Sequence, residues 1–415
     1  MKIAFLTLGC KLNYAETSTY ERGLKAAGCE AVSWKEQADA YLINTCSVTA
    51  TSDSKSRNLI RKVHRVNPKA AIYVTGCSAE LRRSGTEAID GVTKVFGATE
   101  KSAVVPTILK DFGISTGPET PDASPVFAAY SSGERTRSFL KVQDGCNNFC
   151  HYCTVPYARG RSRNVPICEC IRMAREIAAK GIKEIVLTGV NTGDFGRTTG
   201  ESFLDLLKAL DGVEGIERYR ISSIEPNLIT EDIIDWIASG TKFQPHFHIP
   251  LQTGSDILLK RMGRHYDTAF FLDRTEYIRR RMEGPGKPLV FFGIDVMVGL
   301  PGESEELFND TVSFIKRVRP AFIHVFPYSR RPGTPAAEMP EQVDEREKSR
   351  RVAVLESLCA ELQEEFIRRN NGIREQVLFE SKDKGGMMSG YTGNYIRITR
   401  PYDATLVGKL TDITI

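Results

Sequence analysis

Three cysteines lie within eight residues in the stretch DGCNNFCHYC, at positions 146, 150 and 153. Zinc usually takes four closed ligands that come as paired C-x2-C units, so this C-x3-C-x2-C spacing fits zinc poorly. A 4Fe–4S cluster held by three thiolates keeps one iron open to a further ligand, much as a catalytic zinc keeps a vacant position. We therefore expect Cys146, Cys150 and Cys153 to hold a 4Fe–4S cluster with one open iron.

Three further cysteines share a position at the ends of strand-like segments. Cys10, Cys46 and Cys77 end the runs FLTLGC, AYLINTC and AIYVTGC. In a parallel sheet the ends of all strands meet at one edge, where ligands bind. These three thiols can therefore converge although they are distant in sequence. The other four cysteines lack this pattern and are expected to be structural or exposed: Cys29, Cys168, Cys170 and Cys359.

The elements that position these cysteines predict an α/β protein of three domains. Residues 1–98 alternate strand-like and helix-like segments, which predicts a parallel sheet with helical crossovers. Residues 99–134 contain a helix-like piece followed by the turn-rich GISTGPETPDASP and are predicted to be a linker. Residues 135–372 contain six strand–helix units and predict a partial (β/α)6 barrel, since a full barrel has eight. Residues 373–415 are rich in strand residues and glycine and predict a small all-β barrel.

The composition is that of a globular chain without a membrane span. Of 415 residues, 41% are hydrophobic and 26% are charged, and the formal net charge is +4. No run reaches the ~18 apolar residues that a spanning helix needs, and the apolar start is shorter than a secretory signal of roughly 15–30 residues. We expect a cytoplasmic protein, where thiols stay reduced, so the ten cysteines indicate metal ligation rather than disulfides. The positive charge allows a nucleic-acid partner without requiring one.

Together the motifs resemble the radical S-adenosylmethionine (SAM) methylthiotransferases along essentially the whole chain. The resemblance rests on LGCKLN, NTCSVT, VTGC, DGCNNFCHYCTVPYARGRSRN, LTGVNTGDFG, HIPLQTGS, DVMVGLPGES and YSRRPGT. The three-cysteine loop resembles that of the radical SAM superfamily, and the C-terminal part resembles a TRAM domain, an RNA-binding β-barrel. The LGCKLN form of the first motif resembles the branch that acts on N6-threonylcarbamoyladenosine beside the tRNA anticodon.

The resemblance implies radical chemistry that adds a methylthio group to C2 of this adenosine at tRNA position 37. An adenine C2–H is neither acidic nor electrophilic, so acid–base catalysis cannot readily functionalise it, whereas radical cofactors can. The implied cofactors are two 4Fe–4S clusters and SAM, which serves as radical source and as methyl donor. The cluster of the three-cysteine loop would cleave SAM, and an auxiliary cluster on Cys10, Cys46 and Cys77 would hold the added sulfur.

The same resemblance implies a set of partners. These are tRNA, through its anticodon loop, an external electron donor and a sulfur source. We expect no membrane partner, and we expect the protein to be a monomer.

Several positions outside the cysteines are implied to bind SAM. Tyr152 precedes the last cysteine of the loop, where the superfamily carries an aromatic residue against the adenine of the cofactor. The candidates at strand ends are Thr188, Gly189, Asn191, Glu225 and Gln252. Each has a structural alternative, namely a core tyrosine, a tight βα turn or a polar loop residue.

Cationic residues beside the cluster loop and in the last domain are candidates for RNA contact. Arg159, Arg161 and Arg163 form the ARGRSR loop, for which a solvated charge run is the alternative. The last domain combines cations with aromatic residues, as barrels that track a nucleic-acid backbone do. This second set comprises Lys382, Lys384, Tyr391, Tyr395, Arg397, Arg400 and Lys409.

Other functions stay open as alternatives. A cobalamin-dependent radical enzyme would normally carry D-x-H-x-x-G, which no histidine here matches. A methylthiotransferase for isopentenyladenosine tRNA or for a ribosomal-protein aspartate would share most motifs, although LGCKLN favours the threonylcarbamoyl branch. A non-catalytic RNA-binding iron–sulfur protein would have no reason to keep both cysteine sets and the pocket motifs.

Overall fold

The structure, a computed structural model, describes residues 1–115, 126–133, 136–381 and 385–415. Its N-terminal part alternates strands and helices. In chain order these are β1 (Lys2–Thr7), α1 (Lys11–Ala26), β2 (Glu30–Val32), β3 (Ala40–Thr45), α2 (Ala50–Val66), β4 (Ala71–Gly76), α3 (Cys77–Leu81), α4 (Arg83–Glu87), β5 (Val92–Val95), a 3-10 turn (Lys101–Ala103) and α5 (Val104–Asp111).

The N-terminal strands form one parallel sheet in the order β2-β1-β3-β4-β5. Strand β3, AYLINT, is buried along its whole length, as expected for a central parallel strand covered on both faces. Ile43 packs with Ile60 of α2 on one face, and Leu42 packs with Tyr20 of α1 on the other. The predicted N-terminal α/β domain is confirmed.

The segment predicted to be a linker, residues 99–134, is folded at both ends. Val104 and Ile108 of α5 bury against the face of the sheet that carries α1. Near the other end, Ala129–Tyr130 form a strand. The helix-like piece predicted in this segment is α5, and apolar residues near each end of the segment pack against the neighbouring domains. Most of the turn-rich stretch GISTGPETPDASP, namely residues 116–125, lies outside the described residues.

The central domain contains the following elements in chain order. They are β6 (Ala129–Tyr130), β7 (Arg137–Lys141), β8 (Gln143–Asp144), α6 (Val155–Arg159), β9 (Arg163–Asn164), α7 (Ile167–Ala179), β10 (Glu184–Thr188), a 3-10 turn (Thr192–Asp194), α8 (Phe203–Asp211), β11 (Arg218–Ile221), a 3-10 turn (Pro226–Leu228), α9 (Glu231–Ala238), β12 (His246–His248), α10 (Asp256–Arg261), α11 (Thr268–Met282), β13 (Phe291–Val298), α12 (Glu305–Val318), β14 (Phe322–Pro327), α13 (Pro335–Glu338) and α14 (Glu345–Arg369).

Six parallel strands, β7, β10, β11, β12, β13 and β14, follow one another in space as they do in sequence. They form two hydrogen-bonded sheets, β11-β10-β7-β6 and β12-β13-β14, in which only β6 runs antiparallel. A parallel bridge between Ser223 and His248 joins the two sheets after β11. The partial (β/α)6 barrel predicted from the sequence is confirmed. Its largest hydrophobic core lies between these strands and the outer helices.

The C-terminal domain is an antiparallel sheet in the order β17-β16-β15-β18. Its elements are β15 (Arg374–Phe379), β16 (Met387–Tyr391), β17 (Arg397–Pro401), a 3-10 turn (Ala404–Leu406) and β18 (Leu410–Thr414). Within the described residues, β17 and β18 do not pair with each other, so the predicted small barrel is open on one side. Lys382 and Lys384, expected to contact RNA, lie outside the described residues.

The C-terminal sheet is fastened to the start of the barrel strands by buried arginines. Arg220 donates to the carbonyl oxygens of Thr392 and Gly393, both at 2.7 Å, and its guanidinium is paired with Glu184 at 2.9 Å. Arg218 donates to the carbonyl oxygen of Tyr391 at 3.3 Å. These contacts set the last domain against the inner face of the barrel.

Candidate functional site

The three N-terminal cysteines lie at the carboxyl edge of their sheet, each after the end of a strand. Cys10 follows β1 and begins α1, Cys46 directly follows β3, and Cys77 directly follows β4. Cys46 is buried, Cys77 is half-buried and Cys10 is exposed. Burial raises the pKa of Cys77, Arg159 opposes this shift, and the neighbouring thiols of Cys10 and Cys46 raise the pKa further. The three thiols thus lie within electrostatic reach of one another.

Two glycines allow this close approach. Gly9 has φ +101°, and a β-carbon there would lie 2.8 Å from Cβ of Cys46. Gly76 has φ +100°, and a β-carbon there would lie 2.3 Å from the carbonyl oxygen of Thr45. Both residues have a positive φ, which glycine adopts without strain, and neither position has room for a β-carbon. The backbone ahead of Cys10 and of Cys77 therefore passes directly against the end of β3.

Asn13, three residues after Cys10, ties two of these strand ends together. Its side-chain amide donates to the carbonyl oxygens of Leu8 at 2.8 Å and Thr45 at 2.9 Å. Its carbonyl oxygen accepts from Arg159 of the central domain at 2.5 Å. The asparagine of LGCKLN thereby fixes the loop of Cys10 and connects it to the barrel.

The second cysteine set lies on the loop between β8 and α6. The amide of Asn148 donates to Sγ of Cys146 and the amide of Val155 donates to Sγ of Cys153, both at 3.4 Å. Arg264 donates to Sγ of Cys150 at 3.2 Å. Each sulfur therefore accepts one N–H bond, the environment in which iron–sulfur thiolates are held. The loop fits a 4Fe–4S cluster.

Burial affects the protonation of this set in the absence of metal. It raises the pKa of Cys146 to about 11 and that of Cys153 to about 12, with further contributions from the Cys150 thiol. Both thiols are therefore protonated at neutral pH in the free protein. Metal binding must displace these protons, as is general for thiolate ligands.

Arg264 is a central residue of the site that sequence reasoning missed. Its buried guanidinium contacts Sγ of Cys150, the hydroxyl of Tyr152 at 3.4 Å and the carboxylate of Glu225. It also donates to the hydroxyl of Tyr266 at 3.0 Å. Arg264 lies 114 positions from Cys150 in the chain, and no motif marks it. The residue thus joins a cysteine to two of the expected SAM-binding positions.

The expected SAM-binding positions gather at the same strand ends, with different environments. The amide of Asn191 is buried, its Oδ1 accepts from the backbone of Glu225 at 3.2 Å, and its Nδ2 has no partner among the described residues. A β-carbon on Gly189 would lie 2.8 Å from Oε1 of Gln143. Thr188 is buried and donates to the carbonyl of Val186 in its own strand. The unpartnered amide beside Glu225 fits a polar cofactor.

Gln252, the last of these positions, has a left-handed backbone with φ +69°. Its N–H donates to the carbonyl oxygen of Asp295 at 2.8 Å, and its own carbonyl oxygen accepts from Met297 at 2.8 Å. These bonds attach the loop after β12 to β13. The side chain of Gln252 is half-buried.

A buried ion cluster lies between the two cysteine sets. Two carboxylates, Glu16 of α1 and Asp144 of β8, are surrounded by three buried cations, Lys101, Lys141 and Arg159. The five side chains make six contacts of 2.7–3.3 Å across both domains. Burial would raise the pKa of Glu16, but the three cations outweigh burial and hold it well below its usual value. The cluster carries one more positive than negative charge.

This environment overturns one expected RNA contact. Arg159 is 3% exposed and engages Glu16, Asp144 and Asn13, so its guanidinium is not available to a phosphate. Arg161 is exposed and lies over the ring of Phe149 at 4.4 Å. Arg163 is half-buried and donates to the carbonyl oxygen of Arg159 at 2.6 Å. The charge run thus combines one buried structural arginine with more accessible neighbours.

A cavity of about 830 Å³ lies where the three domains meet. The N-terminal domain contributes Cys10 and Lys11, and the C-terminal sheet contributes Arg397, which also donates to Ser389 at 2.9 Å. The inner face of the barrel contributes residues from all six parallel strands. They include Arg137, Phe139, Val186, Arg220, His246, His248, Phe291, Gly293, Phe322 and His324. The cavity is large enough for a nucleoside, and its wall is shared by all three domains.

The N-terminal and central parts of the chain match known protein families. Residues 140–315 match the Radical SAM superfamily, and residues 2–97 match the Uncharacterized protein family UPF0004.

All ten cysteines are free thiols. Within the described parts of the chain, every helix is too short or too polar to cross a membrane.

The chain is similar to named tRNA methylthiotransferases along its whole length. It is 39% identical over 425 residues to the threonylcarbamoyladenosine tRNA methylthiotransferase MtaB of Bacillus subtilis, and the alignment covers 100% of this chain and 93% of that protein. The Aquifex aeolicus protein of the same name is 36% identical, with 100% of both chains covered. The tRNA-2-methylthio-N(6)-dimethylallyladenosine synthase of Carboxydothermus hydrogenoformans is 32% identical, with 99% and 95% covered.

A solved structure supports the fold. The radical S-adenosylmethionine methyltransferase TsrM from Kitasatospora setae superimposes with a TM-score of 0.59, over 81% of this chain and 77% of that one. The sequence identity is 14%, so this likeness concerns the fold alone.

Proposed function

This chain belongs to the radical SAM tRNA methylthiotransferases, and from that premise we propose that it converts N6-threonylcarbamoyladenosine at tRNA position 37 to its 2-methylthio derivative. Relatives named for threonylcarbamoyladenosine are 32–39% identical to this chain, against 31–32% for relatives named for dimethylallyladenosine. This difference and the LGCKLN motif support the threonylcarbamoyl substrate. The dimethylallyl substrate is the second candidate.

We assign the cofactors to the two cysteine sets. Cys146, Cys150 and Cys153 hold the radical SAM 4Fe–4S cluster, and a second, auxiliary 4Fe–4S cluster is held by Cys10, Cys46 and Cys77. The SAM pocket comprises Tyr152, Thr188, Gly189, Asn191, Glu225 and Gln252. When bound, the clusters and SAM supply the one-electron chemistry, the sulfur and the methyl group that an unactivated adenine C2–H requires.

The side chains around the cofactors hold them in place. Arg264 links Cys150, Tyr152 and Glu225, so one guanidinium orients a cluster ligand and two pocket residues together. Asn191 has an uncommitted buried amide with which to bind the polar part of SAM. The hydrogen bond between Asn13 and Arg159 links the segments that carry the two cysteine sets. Fixed placement is what a reaction between two centres demands.

The domains divide the remaining tasks. In this proposal residues 1–98 form the methylthiotransferase domain, residues 135–372 the radical SAM domain and residues 373–415 a TRAM-like RNA-binding domain. The anticodon loop is bound by cations at the surface, among them the exposed Arg161 and Arg397 and the half-buried Arg163. The protein acts as a cytoplasmic monomer and draws its electrons and sulfur from external donors.

The observation that carries the proposal is the joining of two cysteine sets through one buried network. A chain of contacts runs from Cys10 through Asn13 and Arg159 to Asp144, two residues before Cys146. A protein that merely bound RNA would not need this connection. The network favours an enzyme in which both centres act on one nucleotide.

The decisive experiment is mass analysis of tRNA nucleosides after incubation with the reconstituted protein, SAM, a reductant and sulfide. We expect threonylcarbamoyladenosine to gain a methylthio group and isopentenyladenosine to stay unchanged. Methylthiolation of isopentenyladenosine alone would replace the proposed substrate with the second candidate. A protein that modifies neither nucleoside, although both clusters are loaded, would overturn the proposal.

A further inference from the structure

Lys11 lies in the wall of the interdomain cavity, directly after Cys10. It is the first residue of α1, and its side chain is accessible within the cavity. The residue therefore places a cationic group beside a thiol that lines the same space. Any molecule that fills this end of the cavity meets both side chains.

The charges of the cavity wall are unequal. The lining includes four cations, Lys11, Arg137, Arg220 and Arg397, and a single carboxylate, that of Glu380. Arg137 is paired with this carboxylate at 2.8 Å. Arg220 is paired with Glu184 behind the wall at 2.9 Å. The paired arginines are structural, so the excess positive charge belongs to the other two cations.

Among the described residues, the ammonium group of Lys11 has no ion pair and no hydrogen-bond partner. Asp295 attracts it from across the barrel, but that carboxylate lies 2.9 Å from Nε2 of His248. A cation that faces a cavity without a partner favours an anionic ligand there.

We infer that Lys11 binds a carboxylate carried by the side group of the substrate base, an inference that rests on the proposed function. The threonylcarbamoyl group ends in a carboxylate, whereas the dimethylallyl group is an uncharged hydrocarbon. A lysine at this position thus selects an acidic N6 substituent. It is a specificity-determining residue rather than a catalytic one.

An anion on the N6 substituent and an RNA phosphate lie on opposite sides of the reacting carbon. C2 is bonded to N1 and to N3; N1 leads to C6, which bears the substituted nitrogen, and N3 leads to C4, which bears N9 and the ribose. When C2 faces the centre containing Cys10, one orientation of the base places the N6 substituent beside Lys11 and the opposite orientation places the ribose and its phosphates there. Substrates that differ only in the carboxylate of the N6 substituent separate these two orientations.

The test compares two anticodon stem-loops that differ in one group. One carries threonylcarbamoyladenosine, and the other carries the same nucleoside with its carboxylate converted to a carboxamide. Binding to the cluster-free protein is measured by fluorescence anisotropy, and methylthiolation by the cluster-loaded protein is measured in parallel. We expect the wild type to bind the carboxylate RNA more tightly than the carboxamide RNA.

Replacing the lysine should remove this preference. Lys11→Met should weaken binding of the carboxylate RNA by roughly 10- to 100-fold, the usual effect of losing a bond between charged groups, and binding of the carboxamide RNA by less than about 3-fold. Lys11→Arg should restore most of the preference. Lys69→Met is the matched control, since Lys69 is exposed just before β4, at the opposite edge of the same sheet.

Each other outcome has a distinct meaning. Equal weakening of both RNAs by Lys11→Met assigns the lysine to the phosphate backbone and overturns the inference. An unchanged preference in Lys11→Met or in Lys11→Gln overturns it as well, while the proposed function stands if the wild type still modifies threonylcarbamoyladenosine. If the wild type modifies only isopentenyladenosine, the proposed function fails.

Discussion

Arg159 donates a hydrogen bond of 2.5 Å to the side-chain oxygen of Asn13, and this bond joins the helices that follow Cys10 and Cys153. Asn13 follows Cys10 by three residues, and Arg159 follows Cys153 by six. The same asparagine donates to the strand ends at Leu8 and Thr45. One amide thus fixes the shape of the first loop and its attachment to the barrel.

Asn13→Ala should lower the stability of the protein by about 1–3 kcal/mol, because a buried guanidinium and two buried carbonyl oxygens lose a partner. Asn13→Asp keeps an acceptor for Arg159 but loses both N–H donors, so it should retain the domain contact while loosening the loop of Cys10. Thermal melting and iron content after reconstitution distinguish the variants. If both variants melt and load iron like the wild type, the bond has no positioning role.

Glu16→Gln should be strongly destabilising, by about 3–5 kcal/mol, because it leaves three buried cations with Asp144 as their only buried carboxylate. The control is Glu21→Gln, which removes an exposed pair with Lys25 on the same helix and should cost less than about 1 kcal/mol. Urea unfolding of the two variants provides the comparison. Similar midpoints for the two would mean that the cluster contributes nothing beyond a surface pair.

The two cysteine sets should separate in their functions. We expect about eight irons per reconstituted chain, four in each cluster. Cys10→Ala should keep 5′-deoxyadenosine formation but abolish methylthiolation, whereas Cys150→Ala should stop both. Cys168→Ala, at an exposed thiol, serves as the control. Four irons together with bound zinc in the wild type would refute the assignment of two clusters.

Arg264→Lys should weaken SAM binding by roughly 10-fold or more. The planar guanidinium of arginine contacts a thiol, a phenol and a carboxylate at once, and the single ammonium group of lysine cannot. The affinity of the cluster-loaded protein for SAM, measured by equilibrium dialysis, checks this expectation. Iron content should be measured in the same samples, because a loss of iron rather than of SAM affinity would assign Arg264 to the cluster alone. Arg281→Lys, in an exposed pair with Asp235, is the control.

Acid should loosen the contact between the N-terminal domain and the barrel at Asp53. Burial alone would raise the pKa of this carboxyl, but hydrogen bonds from Ser47 and Arg331 outweigh burial and lower it. Because the folded-state pKa is depressed, the ionised form stabilises the fold above the unfolded value of about 3.9. This contribution is lost as the pH falls from there through the folded value.

Melting temperatures between about pH 5 and pH 3 test this dependence. The wild type should lose more stability over this range than Asp53→Asn, which cannot ionise. Asp90→Asn, at an exposed position, should follow the wild type. Parallel curves for the wild type and Asp53→Asn would contradict the prediction.

Strand-end positions could be read from the sequence, whereas the contacts between domains could not. The placement of Cys10, Cys46 and Cys77 follows from a rule about parallel sheets, and the structure brings the three together as that rule requires. The charge run predicts an RNA contact for Arg159, because a buried arginine and a solvated one look alike in such a run. Its true partner Glu16 is 143 positions away and is set by tertiary packing alone.

The left-handed glycines ahead of Cys10 and Cys77 affect how distant homologues should be recognised. Cysteines at three strand ends are not sufficient for their sulfurs to meet, because a side chain at position 76 would strike the carbonyl oxygen of Thr45. A search pattern that requires Gly-Cys at two of the three strand ends is therefore more selective than one that counts cysteines. It separates chains whose backbone can close such a site from chains that have merely retained the thiols.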